Sequence, residues 1–344
     1  HVNSFYKDFP VNIPLRSLHS CPRNEIDVAT PVLRRCKDNV WRVRYCNSGT
    51  APSTDTRIEV SLDPDLRLTD SDRPAINLGN GRYAFEVGTL NNGDCGSFNF
   101  TAYLDCADER EGQTHCVEAR IYPDDFCGVA AGWDSVIIAA KARCVNGRVI
   151  LSLINQGTQD MGSDLEYVIA EDVVMLTAPG DPLNQFRLKS GEEATMLDTV
   201  ANGKTYRITA EQSPGYPGFS NPTAAVEGCV GDTTTTVSLG FYTMFPEDDE
   251  APGIQRDCQE SNKTDYAPVI LKRGHPKGFD VPNYVYPNTD LEYLIQFRNT
   301  GTDTVEQVVV RDTLPVSLDP STVYPGAASH PYDFDVLGNG VVQF

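Results

Sequence analysis

The chain has 344 residues, of which 40% are hydrophobic and 22% charged, a composition typical of a folded globular protein. Its 28 basic and 48 acidic residues give a net charge of −20, which disfavours binding to nucleic-acid phosphates or anionic lipid surfaces. The longest purely apolar run, Val136–Ala140, is far too short to span a bilayer. We therefore expect no nucleic-acid partner and no membrane insertion.

Ten cysteines are scattered along the chain, with no Cys-x-x-Cys pair and no spacing typical of a zinc site. This usage predicts disulfides in an oxidising compartment, and hence an extracellular or cell-surface protein. Cys144 and Cys229 have no other cysteine between them, which favours their pairing, whereas Cys106 and Cys116 flank a turn and could staple a hairpin. The cysteines whose pairing the sequence leaves open are Cys21, Cys36, Cys46, Cys95, Cys127 and Cys258.

One motif occurs three times: a β-rich run, the tetrapeptide Asn-x-Gly-Thr, and a second β-rich run. The three loops contain Asn47 and Gly49, Asn155 and Gly157, and Asn299 and Gly301. We predict that each glycine supplies a positive φ and that each asparagine caps the turn through its side chain. The loops are 108 and 144 residues apart, close to the size of an immunoglobulin-like sandwich of about 100 residues.

The motif and the frequent turn residues predict an all-β chain of tandem immunoglobulin-like β-sandwich domains, the last one incomplete. The expected divisions are an N-terminal extended segment at 1–25, a first domain at 26–127, a second at 128–240, a linker at 241–265 and a third domain at 266–344. The third domain has too few strands after its motif. Either the chain continues past Phe344, or another chain supplies the missing strands by β-strand addition.

Signatures of catalysis are missing from the sequence. It contains no nucleophile elbow, His-Glu-x-x-His motif or phosphate-binding loop, and its five histidines are far apart, as expected for surface or turn positions. We predict that the protein is not an enzyme and has no cofactor. The acidic run Glu247–Glu250 is the one candidate calcium site, since Asp63-Pro-Asp65 lacks the glycine and distal glutamate of a calcium loop.

Three further residues are candidates for sugar chemistry. Trp133 is a candidate for stacking on a glycan, with core packing as the alternative explanation. Asn99 and Asn262 each begin an Asn-x-Thr sequence that fits an N-glycan acceptor.

The stretch NTDLEYLIQFRNTGTDTVEQVVVRDTLP at 288–315, followed by 318–344, resembles a conserved domain of unknown function in large surface proteins of Bacteroidota. The stretches YCNSGTAPSTDTRIEVSLD and LINQGTQDMGSDLEYVIAED look like the modules that precede it in those proteins. The resemblance implies immunoglobulin-like repeats, export by type IX secretion and display at the cell surface. It implies no reaction.

From these observations we expect an extracellular structural or adhesive protein whose partners are copies of itself, other surface proteins or glycans. It could be a fibre subunit, a filament-forming adhesin assembled by β-strand complementation, with residues 1–20 as the donated strand. The alternative is a glycan-binding or stalk region of a larger secreted hydrolase.

Overall fold

A computed structural model describes residues 20–105, 111–124, 133–177, 182–216, 221–231, 236–244, 253–261, 270–278, 281–285, 289–338 and 340–344. Within these residues almost all regular structure is β-strand, arranged in antiparallel sheets, which confirms the predicted fold class. The helices in the described ranges are single 3₁₀ turns at Pro182–Asn184, Tyr242–Met244 and Pro320–Thr322, and none could cross a membrane.

The first unit is a sandwich of two sheets. The strands that its own sequence contributes are β1 (Asn24–Ala29), β2 (Asp38–Asn47), β3 (Ser53–Leu62), β4 (Leu66–Ser71), β5 (Ala75–Gly79), β6 (Arg82–Leu90), β7 (Cys95–Leu104) and β8 (Thr114–Tyr122). One sheet has the order β1-β2-β7-β4, and β8, β3, β6 and β5 are consecutive in the other.

The two sheets of the first unit enclose one apolar core because their strands alternate inward and outward residues. On β2, Trp41, Val43 and Tyr45 are buried, whereas the arginines between them are more exposed. Trp41 stacks on Phe100 of β7 with ring centroids 6.2 Å apart. This alternation places the whole core between the sheets and leaves the strand edges for pairing.

A strand from far along the chain completes the second sheet of the first unit. β17 (Ile254–Glu260) pairs antiparallel with β8 at its outer edge, so the sheet order is β17-β8-β3-β6-β5. The predicted linker at 241–265 is therefore wrong for this stretch. Its residues are mostly polar, as suits a strand at the edge of a sheet, and the second unit is inserted between two strands of one sheet.

The second unit is a smaller sandwich with its own core. Its strands are β9 (Ile138–Val145), β10 (Arg148–Asn155), β11 (Leu165–Glu171), β12 (Val174–Met175), β13 (Gln185–Phe186), β14 (Glu193–Val200), β15 (Tyr206–Ala210) and β16 (Thr223–Val226). The sheet β14-β10-β9 packs on the sheet β12-β11-β15-β16, and residues such as Leu151, Leu153 and Ile208 are fully buried between them.

The third unit has little core in the described part of 270–344. Its strands are β18 (Ile270–His275), β19 (Glu292–Phe297), β20 (Arg311–Thr313), β21 (Asp335–Leu337) and β22 (Val341–Gln343). β18 pairs with β19, and β22 lies between β20 and β21. Apart from Pro276, Val342 is the only aliphatic or aromatic residue that is buried in these ranges. The third unit touches the first through Arg273, whose Nη2 donates to the Pro31 carbonyl at 2.9 Å.

Candidate strand-addition site

The three Asn-x-Gly loops share one hydrogen-bonding pattern. In each loop the asparagine Oδ1 accepts from the N–H of the glycine two residues later, at 3.0, 2.9 and 2.9 Å in chain order. The asparagine Nδ2 donates to the carbonyl four residues later, at 2.8 Å in each case. The loops follow β2, β10 and β19, each of which pairs antiparallel with the strand before it. The repeated sequence motif thus corresponds to a repeated local structure.

The glycines of these loops serve a different purpose from the one predicted. None has a positive φ, so the expectation of a left-handed turn residue is wrong. A Cβ on Gly49 would lie 2.2 Å from the backbone nitrogen of Arg23, and one on Gly157 would lie 2.2 Å from the carbonyl oxygen of Ser135. Glycine is required in these two loops because the chain segment that enters the unit packs directly against the loop backbone.

The segments that follow the first two loops become strands with a neighbour on each side. β3 follows Asn47 and lies between β8 and β6, and β11 follows Asn155 and lies between β12 and β15. Each strand therefore has hydrogen-bonded partners along at least part of both edges, which satisfies backbone N–H and C=O groups there.

The corresponding segment of the third unit is open. Residues 304–309 follow Asn299 and its loop, but they belong to no strand and their backbone makes no hydrogen bond within the described part of the chain. Pairing begins only at Val310, which exchanges backbone hydrogen bonds of 2.9 Å with Phe344. The first strand after this segment is β20, which begins at Arg311 and ends at Thr313. We call residues 304–309 the open segment.

The open segment has the composition of a strand and the exposure of an uncovered one. Val305, Val308 and Val309 are 53%, 47% and 53% exposed. β-branched residues favour extended backbone and pack well on a pleated surface. An exposed, unpaired stretch of this kind is a template for pairing with another strand.

The structure joins Cys144 to Cys229, the pair that the sequence favours, across 85 residues. It joins Cys46 to Cys95 on adjacent strands.

The predicted link between Cys106 and Cys116 is wrong, because Cys116 faces Cys258 in the ladder between β8 and β17 and is bonded to it. Cys21 and Cys36 are also disulfide-bonded. Cys106 and Cys127 lie outside the described residues.

The remaining candidates do not form a common site. Trp133 donates its indole N–H to the Val136 carbonyl at 3.2 Å and packs edge-on against Tyr216 with centroids 6.0 Å apart, so its ring takes part in packing. Asn99 lies within β7 and accepts from Arg42 at 3.3 Å, a position in a sheet instead of a loop. Asn262 and Glu247–Glu250 lie outside the described residues.

One group of side chains in the described ranges is arranged to hold a metal ion, namely Asp63, Asp65 and His115 in the first unit. The sequence alone predicts a surface or turn position for His115 and shows Asp63 and Asp65 as an isolated pair. His115 is fully buried. His115 lies 52 positions after Asp63, which explains why local spacing did not indicate the group.

Comparison with protein families gives a match at the end of the chain. The family described as a domain of unknown function (DUF7619) matches residues 277–344. No curated protein matches.

Among solved structures, red sea bream transglutaminase is similar at 9% identity and a TM-score of 0.20, over 60% of this chain and 31% of that one. The chaperone–tip adhesion subunit complex CsuC–CsuE of Acinetobacter baumannii is similar at 9% identity and a TM-score of 0.17, over 58% of this chain and 97% of that one. The chain thus spans about a third of the transglutaminase.

Proposed function

We propose that this protein is an extracellular structural or adhesive surface protein and that it assembles by accepting a β-strand along the open segment. The observation that carries the proposal is the backbone of residues 304–309, which makes no hydrogen bond within the described part of the chain, whereas β3 and β11 of the other units each have a paired neighbour on both sides. A donated strand would satisfy these backbone groups and cover the exposed valines.

The sparse core of the third unit supports the same function. Apart from Pro276 and Val342, the aliphatic and aromatic residues of its described part are partly or largely exposed, including Ile270 at 75% and Phe297 at 50%. Burying apolar area is worth roughly 25 cal/mol per Å², so an added strand that packs on these residues would stabilise the unit substantially.

We propose the N-terminal residues 1–20 of a neighbouring copy as the donor. They contain the stretches VNSFYKDF and VNIPL, whose apolar and aromatic residues suit a strand that adds to an open sheet. Residues 1–19 lie outside the described part of the chain. The disulfides fit an oxidising compartment, and export by type IX secretion to the surface of a Bacteroidota cell belongs to this proposal.

Electron microscopy of the native extracellular protein, together with light scattering after size-exclusion chromatography, tests the proposal. We expect regular filaments from the intact chain and only single particles after deletion of residues 1–20. Filaments that persist after the deletion would contradict the donor assignment. Single rods from the intact chain would contradict self-assembly and favour a stalk region of a larger secreted hydrolase.

A pair of valine variants separates strand addition from a general loss of surface hydrophobicity. Val308→Asp places a charge in the open segment and should abolish assembly. Val173→Asp changes a valine that is 58% exposed in a turn of the second unit and should leave assembly intact. Equal effects of the two variants would show that the open segment is not the acceptor.

A further inference from the structure

The side chains of Asp63, Asp65 and His115 converge at one end of the first sandwich. The two aspartates lie in the turn between β3 and β4, and His115 is the second residue of β8. Nδ1 of His115 lies 3.1 Å from Oδ1 of Asp63 and 3.8 Å from Oδ2 of Asp65. All three ligand atoms lie within 4.8 Å of one another.

The backbone around this group is fixed by hydrogen bonds to neighbouring strands. Asp63 donates its N–H to the Cys116 carbonyl at 3.1 Å, and the Asp65 carbonyl accepts from Asp105 at 2.9 Å. His115 lies next to Cys116, which is bonded to Cys258. The turn that carries the carboxylates is therefore tied both to the strand that carries the imidazole and to the end of β7.

The imidazole is completely buried, whereas the side chains of Asp63 and Asp65 are 22% and 35% exposed. The nitrogen ligand is thus held in the protein, and the carboxylates form the side of the group that solvent can reach. An ion could enter from solvent through the carboxylates and keep water as a further ligand.

We propose that Asp63, Asp65 and His115 form a binding site for a divalent transition-metal ion, with Zn²⁺ as the ion that best suits the ligands. One imidazole nitrogen and two carboxylate oxygens are ligands that Zn²⁺ accepts at about 2.0–2.2 Å. An ion about 2.1 Å from each atom would make angles of about 95° and about 130° across the two measured separations, on either side of the tetrahedral value. A divalent cation also neutralises two carboxylates, whereas an imidazolium neutralises one.

The site would link the turn between β3 and β4 to the start of β8. This is the region where the first unit meets the second, since the N–H of Thr114, next to His115, donates to Oε2 of Glu227 at 3.0 Å. We infer a structural role for the ion, in which it fixes the end of the sandwich at which Thr114 contacts Glu227 of the second unit.

Zinc titration of the untagged full chain, stripped with a chelator, tests the site by calorimetry, with metal content measured after desalting. We expect one bound Zn²⁺ per chain. Asp65→Asn should weaken binding by at least roughly tenfold, because loss of a direct ligand exceeds the effect of losing a residue that only supports one. Asp70→Asn removes the same charge from β4, the strand that follows the turn, and should change the zinc affinity less than twofold.

Cobalt substitution provides a direct readout of the ligands. Co²⁺ bound to the intact chain should give visible absorption bands of a site with nitrogen and oxygen ligands, and His115→Gln should remove them. If His115→Gln does not fold, Asp65→Asn, which changes a partly exposed side chain, provides the same test.

Three results would overturn the proposal. The first is that the intact chain binds no stoichiometric zinc, which would leave the 3.1 Å contact as a simple hydrogen bond between His115 and Asp63. The second is that Asp65→Asn and Asp70→Asn bind zinc equally well. The third is that Ca²⁺ binds with the same affinity before and after His115→Gln, which would show that the imidazole is not a ligand.

Discussion

Thr30 donates its backbone N–H to Oδ2 of Asp257 at 2.8 Å, although 227 residues separate the two in sequence. This bond joins the end of β1 to β17 and lies in the buried interior. Burial raises the pKa of Asp257 to about 7 from an ordinary value of 3.8, and the nearby charge of Asp27 acts in the same direction. Hydrogen bonds from Gln259 and Thr30 oppose the shift without cancelling it.

The raised pKa of Asp257 predicts that the first unit loses stability as the pH rises. Between the unfolded pKa of 3.8 and the folded pKa of about 7, the folded state binds the proton more tightly than the unfolded state. The free energy of unfolding should therefore decrease across this window, by an amount of the order of 2–4 kcal/mol.

Asp257→Asn tests this dependence because an amide carries no charge at any pH. The variant should be more stable than the wild type above about pH 7 and should lose the decrease across the window. Denaturant unfolding in a Trp133→Phe background, where Trp41 alone reports on the first unit, measures the effect. Asp164→Asn, at an exposed carboxylate of the second unit, is the control. Its free energy of unfolding should change with pH as that of the wild type does. An unchanged slope in Asp257→Asn would contradict the assignment.

The three loop asparagines provide a matched series. Asn47 and Asn155 are fully buried, whereas Asn299 is exposed, although all three make the same two hydrogen bonds. Replacement by aspartate removes the Nδ2 donor and adds a charge next to a carbonyl. We expect Asn47→Asp and Asn155→Asp to lower the free energy of unfolding by about 3 kcal/mol or more, and Asn299→Asp by under about 1 kcal/mol. Denaturant unfolding checks the order, and equal losses at the three positions would contradict it.

The loop glycines form a second series with a steric cause. Gly49→Ala and Gly157→Ala would each push a Cβ into backbone atoms 2.2 Å away, whereas Gly301→Ala would meet only the Asn299 side chain at 3.2 Å. The first two should destabilise their own units by roughly 2–3 kcal/mol, and the third by far less.

Hydrogen exchange with mass spectrometry locates these glycine effects. Gly49→Ala should speed exchange in β1 and β2 and leave β9 and β10 unchanged, and Gly157→Ala should do the reverse. Slower or unchanged exchange in the substituted unit would show that the entering segment does not press on the loop as described.

Removing the bond between Cys116 and Cys258 tests how far β17 depends on it. The double variant to alanine should cost about 4–5 kcal/mol, because the bond closes a loop of more than 100 residues. Exchange should rise in β17 and at the β8 edge, with the second unit protected as before. Replacement of Cys144 and Cys229, which close a loop inside the second unit, should instead affect β9, β10 and their neighbours.

Much of this fold is predictable from local patterns. Alternation and turn residues predict an all-β chain, and strands of the first unit such as β3 and β7 carry this alternation. The absence of any cysteine between Cys144 and Cys229 correctly favours their pairing. These features depend on residues close in sequence or on simple elimination, so they can be predicted without knowledge of the tertiary structure.

The predictions that the structure overturns concern segments that are distant in sequence but in contact in the fold. β17 pairs with β8 because the chain returns to the first unit after the whole second unit has folded separately. No local pattern indicates this return. The same return takes Cys258 to Cys116 and leaves the hairpin link to Cys106 wrong. For the loop glycines, the motif predicts a positive φ, and only the position of the entering segment shows that close packing is the reason for glycine at Gly49 and Gly157.

The return of β17 also determines how the molecule would carry mechanical load. A stretching force applied between the first and third units would be transmitted through the disulfide between Cys116 and Cys258. Residues 117–257 would then carry none of this force. The second unit could not be stretched open while that bond is intact. The second unit would therefore stay folded at forces that unfold other parts of the chain.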